Sequence, residues 1–215
     1  FYTGETYPDS VRRGEWAFDL EGGEFEEGLP HPIYLLLRVG GYPASVDSVT
    51  VTTQRAREYD RGFSYDGTQF QYRSEAGTLC SATLLSGEVP HKAIHVHCAE
   101  GALIADIVSQ TLVTLDRDYQ ASSLARARNN LDQAVDRVAG TLRNGRSVLE
   151  RFRSNDWETE RDLKSHYRQF DAEARALLEG TELPVPLEEG RWTIQILEAI
   201  RAAADASSMQ EARLS

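Results

Sequence analysis

The stretch LCSATLLSGEVPHKAIHVHC, residues 79–98, decides the fold class of this chain. It contains two short segments, Leu79–Leu84 and Ala93–Cys98, each of a length typical of a β-strand. The turn-forming segment Gly87–Pro90 lies between them and is too short to hold a crossover helix. The two segments therefore predict strands that are joined by a turn, without a crossover helix.

Alternating apolar and polar residues extend this pattern in both directions, from residue 47 to residue 116. A period of two is typical of strands that bury one face. Because the short segments are joined by turns without helices, they favour an antiparallel or mixed meander. We count six strands, which centre on Val49–Thr53, Phe70–Tyr72, Leu79–Leu84, Ala93–Cys98, Leu103–Val108 and Leu112–Leu115.

The apolar residues of the C-terminal half recur with the period of an α-helix. They predict a long helix that begins near Ser122, a second helix that ends at Gly180 and a last helix after Pro186. The apolar stripe of the long helix consists of Leu131, Val135, Val138 and Leu142. A short, largely buried helix is predicted earlier, over Pro32–Val39.

A run of strands followed by a run of helices is typical of the α+β class. We therefore predict an open, mostly antiparallel sheet of about six strands with helices packed on one face. No internal repeat or long linker divides the chain, so residues 1–215 are interpreted as a single domain. The uncovered face of the sheet is expected to form the contact between subunits of a homo-oligomer.

The composition excludes several classes of protein. With 23 basic and 34 acidic residues the net charge is −11, which argues against nucleic-acid binding. No apolar run approaches the roughly 20 residues that cross a bilayer, and no cleavable signal is present, so no membrane association is expected. Cys80 and Cys98 are too few for a disulfide scaffold and predict a cytoplasmic protein with reduced thiols. The chain starts at Phe1 without an initiator methionine, which indicates a segment of a longer protein.

Motifs of several enzyme classes are missing. Neither Gly22-Gly23 nor Gly40-Gly41 has the spacing of the dinucleotide-binding motif Gly-x-Gly-x-x-Gly. There is no P-loop, no His-Glu-x-x-His, no Cys-x-x-Cys and no Gly-x-Ser-x-Gly. His95 and His97 point to one face of a strand, but two ligands alone do not predict a metal site; Cys98 is expected on the opposite face, buried. Chemistry alone thus leaves the function unassigned.

One segment, residues 21–37, reads EGGEFEEGLPHPIYLLL and carries the candidate chemistry. If Pro32 is the first helical residue, His31 is the N-cap, where N–H groups and the helix dipole disfavour a charged imidazole. A neutral imidazole is what a general base for a hydroxyl proton requires. Glu27 and Tyr34 are candidates to orient the imidazole or a substrate hydroxyl. The alternative is that His31 only caps the helix and that the acidic residues are solvated.

The pattern Gly-Gly-x-x-x-Glu-x-x-x-His-Pro-Ile-x-Leu-Leu-Leu, from Gly22 to Leu37, resembles a signature of the glucose–fructose oxidoreductase/inositol dehydrogenase/MocA family. The common form of that signature, Gly-Gly-x-x-x-Asp-x-Gly-x-His-Pro-x-Asp-Leu, opens the second domain of the family. Three further stretches resemble family features in the same order: paired strands at Phe70–Ser86, a turn within Ile94–Leu103 and a closing helix–proline–helix arrangement at Phe170–Ala203. The resemblance covers nearly the whole chain.

This resemblance implies an NAD(P)-dependent oxidoreductase that acts on a polyol or sugar-like substrate. In the family, an N-terminal Rossmann domain binds the cofactor and supplies a lysine from a Glu-Lys-Pro motif, which this sequence lacks. The resemblance therefore implies that the chain is the C-terminal substrate-binding domain. NAD or NADP would be bound mainly by the missing domain, and the chain alone would be inactive.

Carried over by position, His31 matches the catalytic histidine of the family and Glu27 matches its catalytic aspartate, so the resemblance implies that both are catalytic residues. The sequence departs from the family pattern in three places: Glu27 replaces aspartate, Leu29 replaces glycine, and Tyr34 stands where a second aspartate is common. Pro30 is also expected to push Leu29 away from helical geometry, which weakens the expectation that Glu27 and His31 share a helical face.

Tyr34 and Trp16 are the candidates for substrate binding. Trp16 and Trp192 could line a sugar-binding cleft, and the alternative is that both pack in the core. The competing hypothesis for the whole chain is a non-catalytic α+β module that serves oligomerisation or ligand binding. The sequence before Phe1 distinguishes the two, because a Gly-x-Gly-x-x-Gly and a Glu-Lys-Pro there would favour the enzyme.

Overall fold

The computed structural model describes residues 2–4, 6–87, 89–116, 122–154 and 165–214. It contains helices and open β-sheets and confirms the α+β class. The chain divides into two compact units, one formed by Phe1–His91 and Pro186–Ser215 and the other by Lys92–Val185. None of the described helices is both long enough and apolar enough to span a membrane.

The described residues contain the six predicted strands and the four predicted α-helices, together with one strand and one α-helix that were not predicted. The strands are β1 (Tyr2–Gly4), β2 (Thr50–Gln54), β3 (Gly67–Arg73), β4 (Leu79–Ser86), β5 (His91–His97), β6 (Gly101–Asp106) and β7 (Thr111–Asp116). The α-helices are α1 (Gly23–Gly28), α2 (Pro30–Gly40), α3 (Ser123–Ser154), α4 (Ser165–Glu179) and α5 (Leu187–Leu214).

The sheet of the first unit has the strand order β2-β3-β4-β1. Strands β2, β3 and β4 are antiparallel, and in their register Phe70 lies opposite Ala82 and Tyr72 opposite Cys80. Strand β1 pairs with β4 in parallel. The sequence did not predict β1, because three residues are too few to show a period.

Helices α2 and α5 cover one face of this sheet. Phe70 and Leu84 of the sheet form a buried cluster with Ile33 of α2 and with Ile196 and Ile200 of α5. Each of the five side chains is at most 1% exposed. Burial of these apolar groups is the main force that holds the two helices on the sheet.

The other face of the sheet is open, as the alternation predicted. Gln69, Gln71 and Arg73 of β3 are exposed there, next to exposed Leu79 and Ser81 of β4. A shallow groove of about 410 Å³ lies along these strands. The face is therefore polar and accessible in the first unit.

The sheet of the second unit has the order β5-β6-β7, and its strands are antiparallel. His95 and His97 are exposed on β5. Cys98 is exposed and free, so the prediction that it is buried is wrong. The strand ends at His97, and the alternation therefore does not extend to Cys98. No three His, Cys, Asp or Glu side chains of the described residues come together in the way a metal ion requires.

Candidate functional site

The Gly22-Gly23 pair allows the chain to turn into helix α1. Gly23 has a φ of +55°, a left-handed conformation that favours glycine. A side chain at position 23 would collide with the carbonyl group of Pro8, and one at position 22 would collide with the ring of Tyr65. The carbonyl of Pro8 also accepts a hydrogen bond from the N–H of Glu24, at 3.2 Å. The structure therefore explains why glycine occupies both position 22 and position 23.

Helices α1 and α2 form a nearly continuous path through Leu29. This residue has φ −63° and ψ −33°, so the prediction that Pro30 moves it out of helical geometry is wrong. Leu29 is 1% exposed, and its carbonyl accepts the N–H of Ile33 at 3.3 Å. Burial and this hydrogen bond offset the steric preference of a residue before proline. Glu27 and His31 therefore lie about one turn apart along one helical path.

Helix α2 begins at Pro30, so His31 is its second residue and not the N-cap that we expected. Proline is favoured at the first helical position, because the N–H that it lacks would have no partner within the helix. Pro32 removes a second N–H of the first turn in the same way. Two prolines thus fix where the helix starts, and His31 is held between them.

The structure brings His31 and Tyr34 together on the side of α2 that faces away from the core. Nδ1 of His31 lies 3.3 Å from the hydroxyl oxygen of Tyr34. The two rings meet edge to face, with centroids 5.7 Å apart. Both side chains are half-buried, whereas Ile33 and Leu37 on the inner side are buried. The predicted partnership of these two residues therefore has a suitable geometry.

This contact determines which ring nitrogen of a neutral His31 can accept a proton. When Nδ1 carries the hydrogen and donates it to the hydroxyl oxygen of Tyr34, Nε2 is the acceptor. When the Tyr34 hydroxyl donates to Nδ1, Nε2 carries the hydrogen and acts only as a donor. The first arrangement supplies a base at Nε2, so Tyr34 can control the proton-accepting state of His31.

Glu27 and Trp16 both contact Arg13. Nε of Arg13 lies 3.7 Å from a carboxylate oxygen of Glu27. The indole Nε1 of Trp16 donates a hydrogen bond to the carbonyl oxygen of Arg13 at 3.1 Å. Trp16 is 53% exposed, whereas Trp192 is 5% exposed and belongs to the core. Trp192 therefore packs in the core, whereas Trp16 lies on the surface, where it and Glu27 both contact Arg13.

Glu24, which the sequence did not single out, holds this surface segment in place. Its side chain is 3% exposed. One of its carboxylate oxygens accepts the backbone N–H groups of Arg12 and Arg13, at 2.7 and 3.3 Å. Because these bonds fix the backbone that carries the Arg13 side chain, Glu24 helps to position Arg13 beside Glu27.

Glu26 is a second buried carboxylate that sequence reasoning missed, and it is 1% exposed. It accepts hydrogen bonds from the N–H of Gly22 at 3.0 Å, from the hydroxyl of Tyr65 at 2.8 Å and from Nε of Arg201 at 2.8 Å. The alternative was that the acidic residues of this segment are solvated. Glu24 and Glu26 are buried, so it is wrong for these two residues. The four-residue spacing from Gly22 to Glu26 was a possible signal, since such a side chain can reach back to a helix start.

Glu21 lies beside this cluster with an unusual environment. Its Oε2 atom is buried and has no hydrogen-bond partner among the described residues. Burial raises the pKa of the carboxyl group, and the charges of Asp205 and Glu26 raise it further, while Arg201 lowers it. The ionised form of Glu21 is therefore disfavoured in the folded protein.

Polar groups continue along α2 beyond the His31–Tyr34 pair. One turn after Tyr34, Arg38 donates two hydrogen bonds to the carboxylate of Glu189, at 3.0 and 3.2 Å. This bidentate pair connects α2 with the first turn of α5. Burial raises the pKa of nearby Tyr42, and the negative charge of Glu189 raises it further. Tyr42 lies just after the end of α2, near Arg38 and Glu189, and its ring packs against the core.

Comparison with solved structures shows a likeness in fold. No family model matches the sequence, and no curated protein matches it. The fold resembles the solved structure of UDP-N-acetylglucosamine 3-dehydrogenase GnnA from Acidithiobacillus ferrooxidans, with a TM-score of 0.51 and 13% sequence identity. The match covers 95% of this chain and 52% of the dehydrogenase, so the chain spans about half the length of that protein. At this identity the likeness shows the fold alone.

Proposed function

We propose that this chain is the substrate-binding half of an NAD(P)-dependent oxidoreductase of the glucose–fructose oxidoreductase/inositol dehydrogenase/MocA type, acting on a hydroxylated, sugar-like compound. The observation that carries the proposal is the likeness of 95% of the chain to half of a dehydrogenase whose name specifies a sugar nucleotide. The resemblance of residues 22–37 to the family signature supports it independently. A cytoplasmic location, with Cys80 and Cys98 as thiols, fits this function.

The described residues do not fit a binding site for the dinucleotide cofactor. Such sites use several parallel strands joined by helices, with a glycine-rich turn after the first strand. Among the described strands of the first unit only β1 and β4 are parallel, and the chain lacks the glycine pattern. The proposal therefore assigns NAD or NADP to a second domain, and the role of this chain is to bind and orient the substrate.

His31 is proposed to accept the proton of a substrate hydroxyl at Nε2. Tyr34 supports this role when its oxygen accepts the hydrogen of Nδ1, because the neutral ring then has its lone pair on Nε2. The same nitrogen can return the proton in the reverse direction. Both side chains of the pair are half-buried, so part of each ring is accessible to a ligand.

Trp16 and Glu27 are proposed to bind the substrate rather than to react with it. The exposed indole offers a flat apolar surface for the C–H groups of a sugar ring. The Glu27 carboxylate, 24% exposed beside Arg13, can accept hydrogen bonds from sugar hydroxyls. The ion pair with Arg13 helps to orient that carboxylate.

The open face of the β2-β3-β4 sheet is proposed to join subunits of a homo-oligomer. Its exposed Gln69, Gln71 and Arg73 can pair with the same residues of a second copy around a two-fold axis. Leu79, 84% exposed at the edge of this face, supplies an apolar contact. Replacement of Leu79 by Glu should then weaken the association of subunits.

Titration calorimetry on this chain tests the proposal. UDP-N-acetylglucosamine, glucose and myo-inositol serve as probes for the wild type, for His31→Ala and for the matched control His95→Ala, whose side chain is exposed on β5. We expect saturable binding of at least one probe that His31→Ala weakens at least tenfold and His95→Ala leaves unchanged, and no saturable binding of NAD. Tight binding of NAD to the wild type, or equal affinities of the two variants, would overturn the proposal.

A further inference from the structure

Helix α3 contacts its own sheet through polar and small residues. The carboxylate of Asp136 accepts the backbone N–H of Thr114 at 2.9 Å, and the side-chain amide of Asn144 donates to the carbonyl of Ser109 at 3.0 Å. Between them the buried Gly140 lies directly against Thr111. These contacts cover edge strand β7, which protects its backbone from pairing with other strands.

The large apolar residues of α3 take no part in these contacts and are exposed. Eight large apolar residues on this helix are between 48% and 82% exposed. They are Leu124, Leu131, Val135, Val138, Leu142, Val148, Leu149 and Phe152, and we call them the α3 stripe. The sequence predicted four of these residues, Leu131, Val135, Val138 and Leu142, as an apolar stripe of a helix packed on the sheet. In the structure all four are exposed, so they do not pack on the sheet.

The α3 stripe has the spacing and the size of a helix–helix interface. Most of its members recur at the a and d positions of a seven-residue repeat, the pattern of helices that pack along their length. Together they expose on the order of 800 Å², which is roughly what one partner contributes to a stable interface. Exposed apolar patches of this extent are rare on monomeric proteins.

We infer that the α3 stripe binds the α3 stripe of a second copy of this chain, with the two helices antiparallel. In this register Leu131 lies opposite Leu142 of the second copy, and Val135 lies opposite Val138. The same register places Arg128 opposite Gly145, where there is no side chain to obstruct it. A parallel pair would instead stack Arg128 on Arg128 and leave a gap at Gly145, which costs stability.

The length of the stripe favours a second α3 over helix α4 as the occupant. Helix α3 has 32 residues and α4 has 15. Because both rise about 1.5 Å per residue, α4 can cover only about half of the stripe. The positions that flank the stripe are mostly small and uncharged, such as Ala127, Ala134 and Ala139, so two copies can approach closely.

The oligomeric mass of the full chain tests this inference independently of the proposed function. We compare the wild type with Leu142→Glu on the stripe and with Leu178→Glu on α4, a leucine that is also exposed but lies outside the stripe. Sedimentation equilibrium should show that Leu142→Glu halves the mass of the assembly, with an unchanged helical circular dichroism spectrum, and that Leu178→Glu does not. A monomeric wild type, or the same mass for both variants, would overturn the inference. Leu79→Glu, on the open sheet face, is measured in the same way, so that a change of mass caused by that face is distinguished from one caused by the α3 stripe.

Disulfide cross-linking tests the orientation. In a Cys98→Ser background, the double variant Leu131→Cys/Leu142→Cys should form covalent dimers on oxidation, while Leu131→Cys alone should not. Positions 131 and 142 of one helix are about 16 Å apart, too far for a disulfide within one chain. Dimers formed by Leu131→Cys alone would contradict the antiparallel arrangement.

Discussion

Arg201 donates two hydrogen bonds to one carboxylate oxygen of Glu26, although the two residues are 175 positions apart in the chain. Glu26 belongs to α1, immediately before the helix that carries His31, and Arg201 belongs to α5. The pair therefore connects the candidate site with the last helix of the first unit. Helix α2 is connected to α5 in a similar way by Arg38 and Glu189.

Glu26→Gln is expected to destabilise the protein by about 2 to 3 kcal/mol, because Arg201 loses a charged partner at a buried site. The effect lies at the low end for a buried pair, since Arg201 is 38% exposed. Urea unfolding measures the change. The matched control is Glu150→Gln, which breaks an exposed pair of the same chemistry with Arg146 and should have no measurable effect. Equal effects of the two variants would show that burial of Glu26 is unimportant.

Gly23→Ala is expected to cost at least about 2 kcal/mol of stability, because alanine must adopt a positive φ and its Cβ meets the carbonyl of Pro8. Gly28, at the other end of the same helix, has open space around its Cβ position. Gly28→Ala should therefore be neutral or stabilise by up to about 1 kcal/mol. Thermal unfolding of both variants checks the contrast, and a tolerated Gly23→Ala would contradict the structural reason for this glycine.

Glu21→Gln is expected to stabilise the protein at neutral pH. The pKa of Glu21 is raised by burial, so the folded state holds the proton more tightly than the unfolded state. The folded protein therefore loses stability as the pH rises from 4.5, the ordinary pKa of a glutamate, through the raised pKa of Glu21. Below pH 4.5 Glu21 is protonated in both the folded and the unfolded state, so it no longer affects stability. Glutamine mimics the protonated form.

Unfolding curves of wild type and Glu21→Gln between pH 4 and pH 8 check this prediction. The advantage of the variant should be present at pH 8 and vanish near pH 4. Glu15→Gln, at a carboxylate that is 77% exposed, is the control and should show no such trend. A variant that is less stable than the wild type at pH 8 would show that the Glu21 charge is favourable.

The sequence predicted the strands and the helices because their periods report one-sided burial. The alternation in β3 and β4 matches the covered and open faces of the sheet. Helix α2 was predicted from its proline, its glycines and its apolar run, and its buried residues are Pro32, Ile33 and Leu37. A period shows that an apolar face exists but not which surface covers it. For this reason the central part of the α3 stripe was predicted, while the packing of α3 on β7 through Asp136 and Gly140 was not.

The candidate site was predictable only in its local part. Tyr34 was a candidate to orient His31, and the structure has the two residues in contact because they are three positions apart on one helix. The roles of Glu24 and Glu26 depend on backbone or side-chain groups distant in sequence, such as Arg201, and these pairings leave no local pattern. The prediction that α2 begins at Pro32 was wrong by two residues, because the helix begins at Pro30. The burial of Leu29 outweighs the restriction that Pro30 imposes on its backbone.

Tyr34→Phe is expected to change the tautomer of His31. In the wild type the phenolic oxygen can accept the hydrogen of Nδ1, and phenylalanine removes this acceptor. Nitrogen NMR chemical shifts of the neutral ring should then move toward the form with hydrogen on Nε2, and probe binding should weaken about fivefold to tenfold, the loss of one hydrogen bond. The shifts of His95 should stay unchanged. Identical His31 shifts in both proteins would contradict control by Tyr34.

The most direct test of the central claim follows the His31 ring by NMR while UDP-N-acetylglucosamine, glucose or myo-inositol is added to the wild-type chain. The account predicts that at least one of these probes produces saturable changes at His31 and Tyr34, together with a change at the Trp16 indole N–H, while His95 and His97 stay constant. Changes confined to residues elsewhere, or none with any probe, would contradict the assignment of the substrate site.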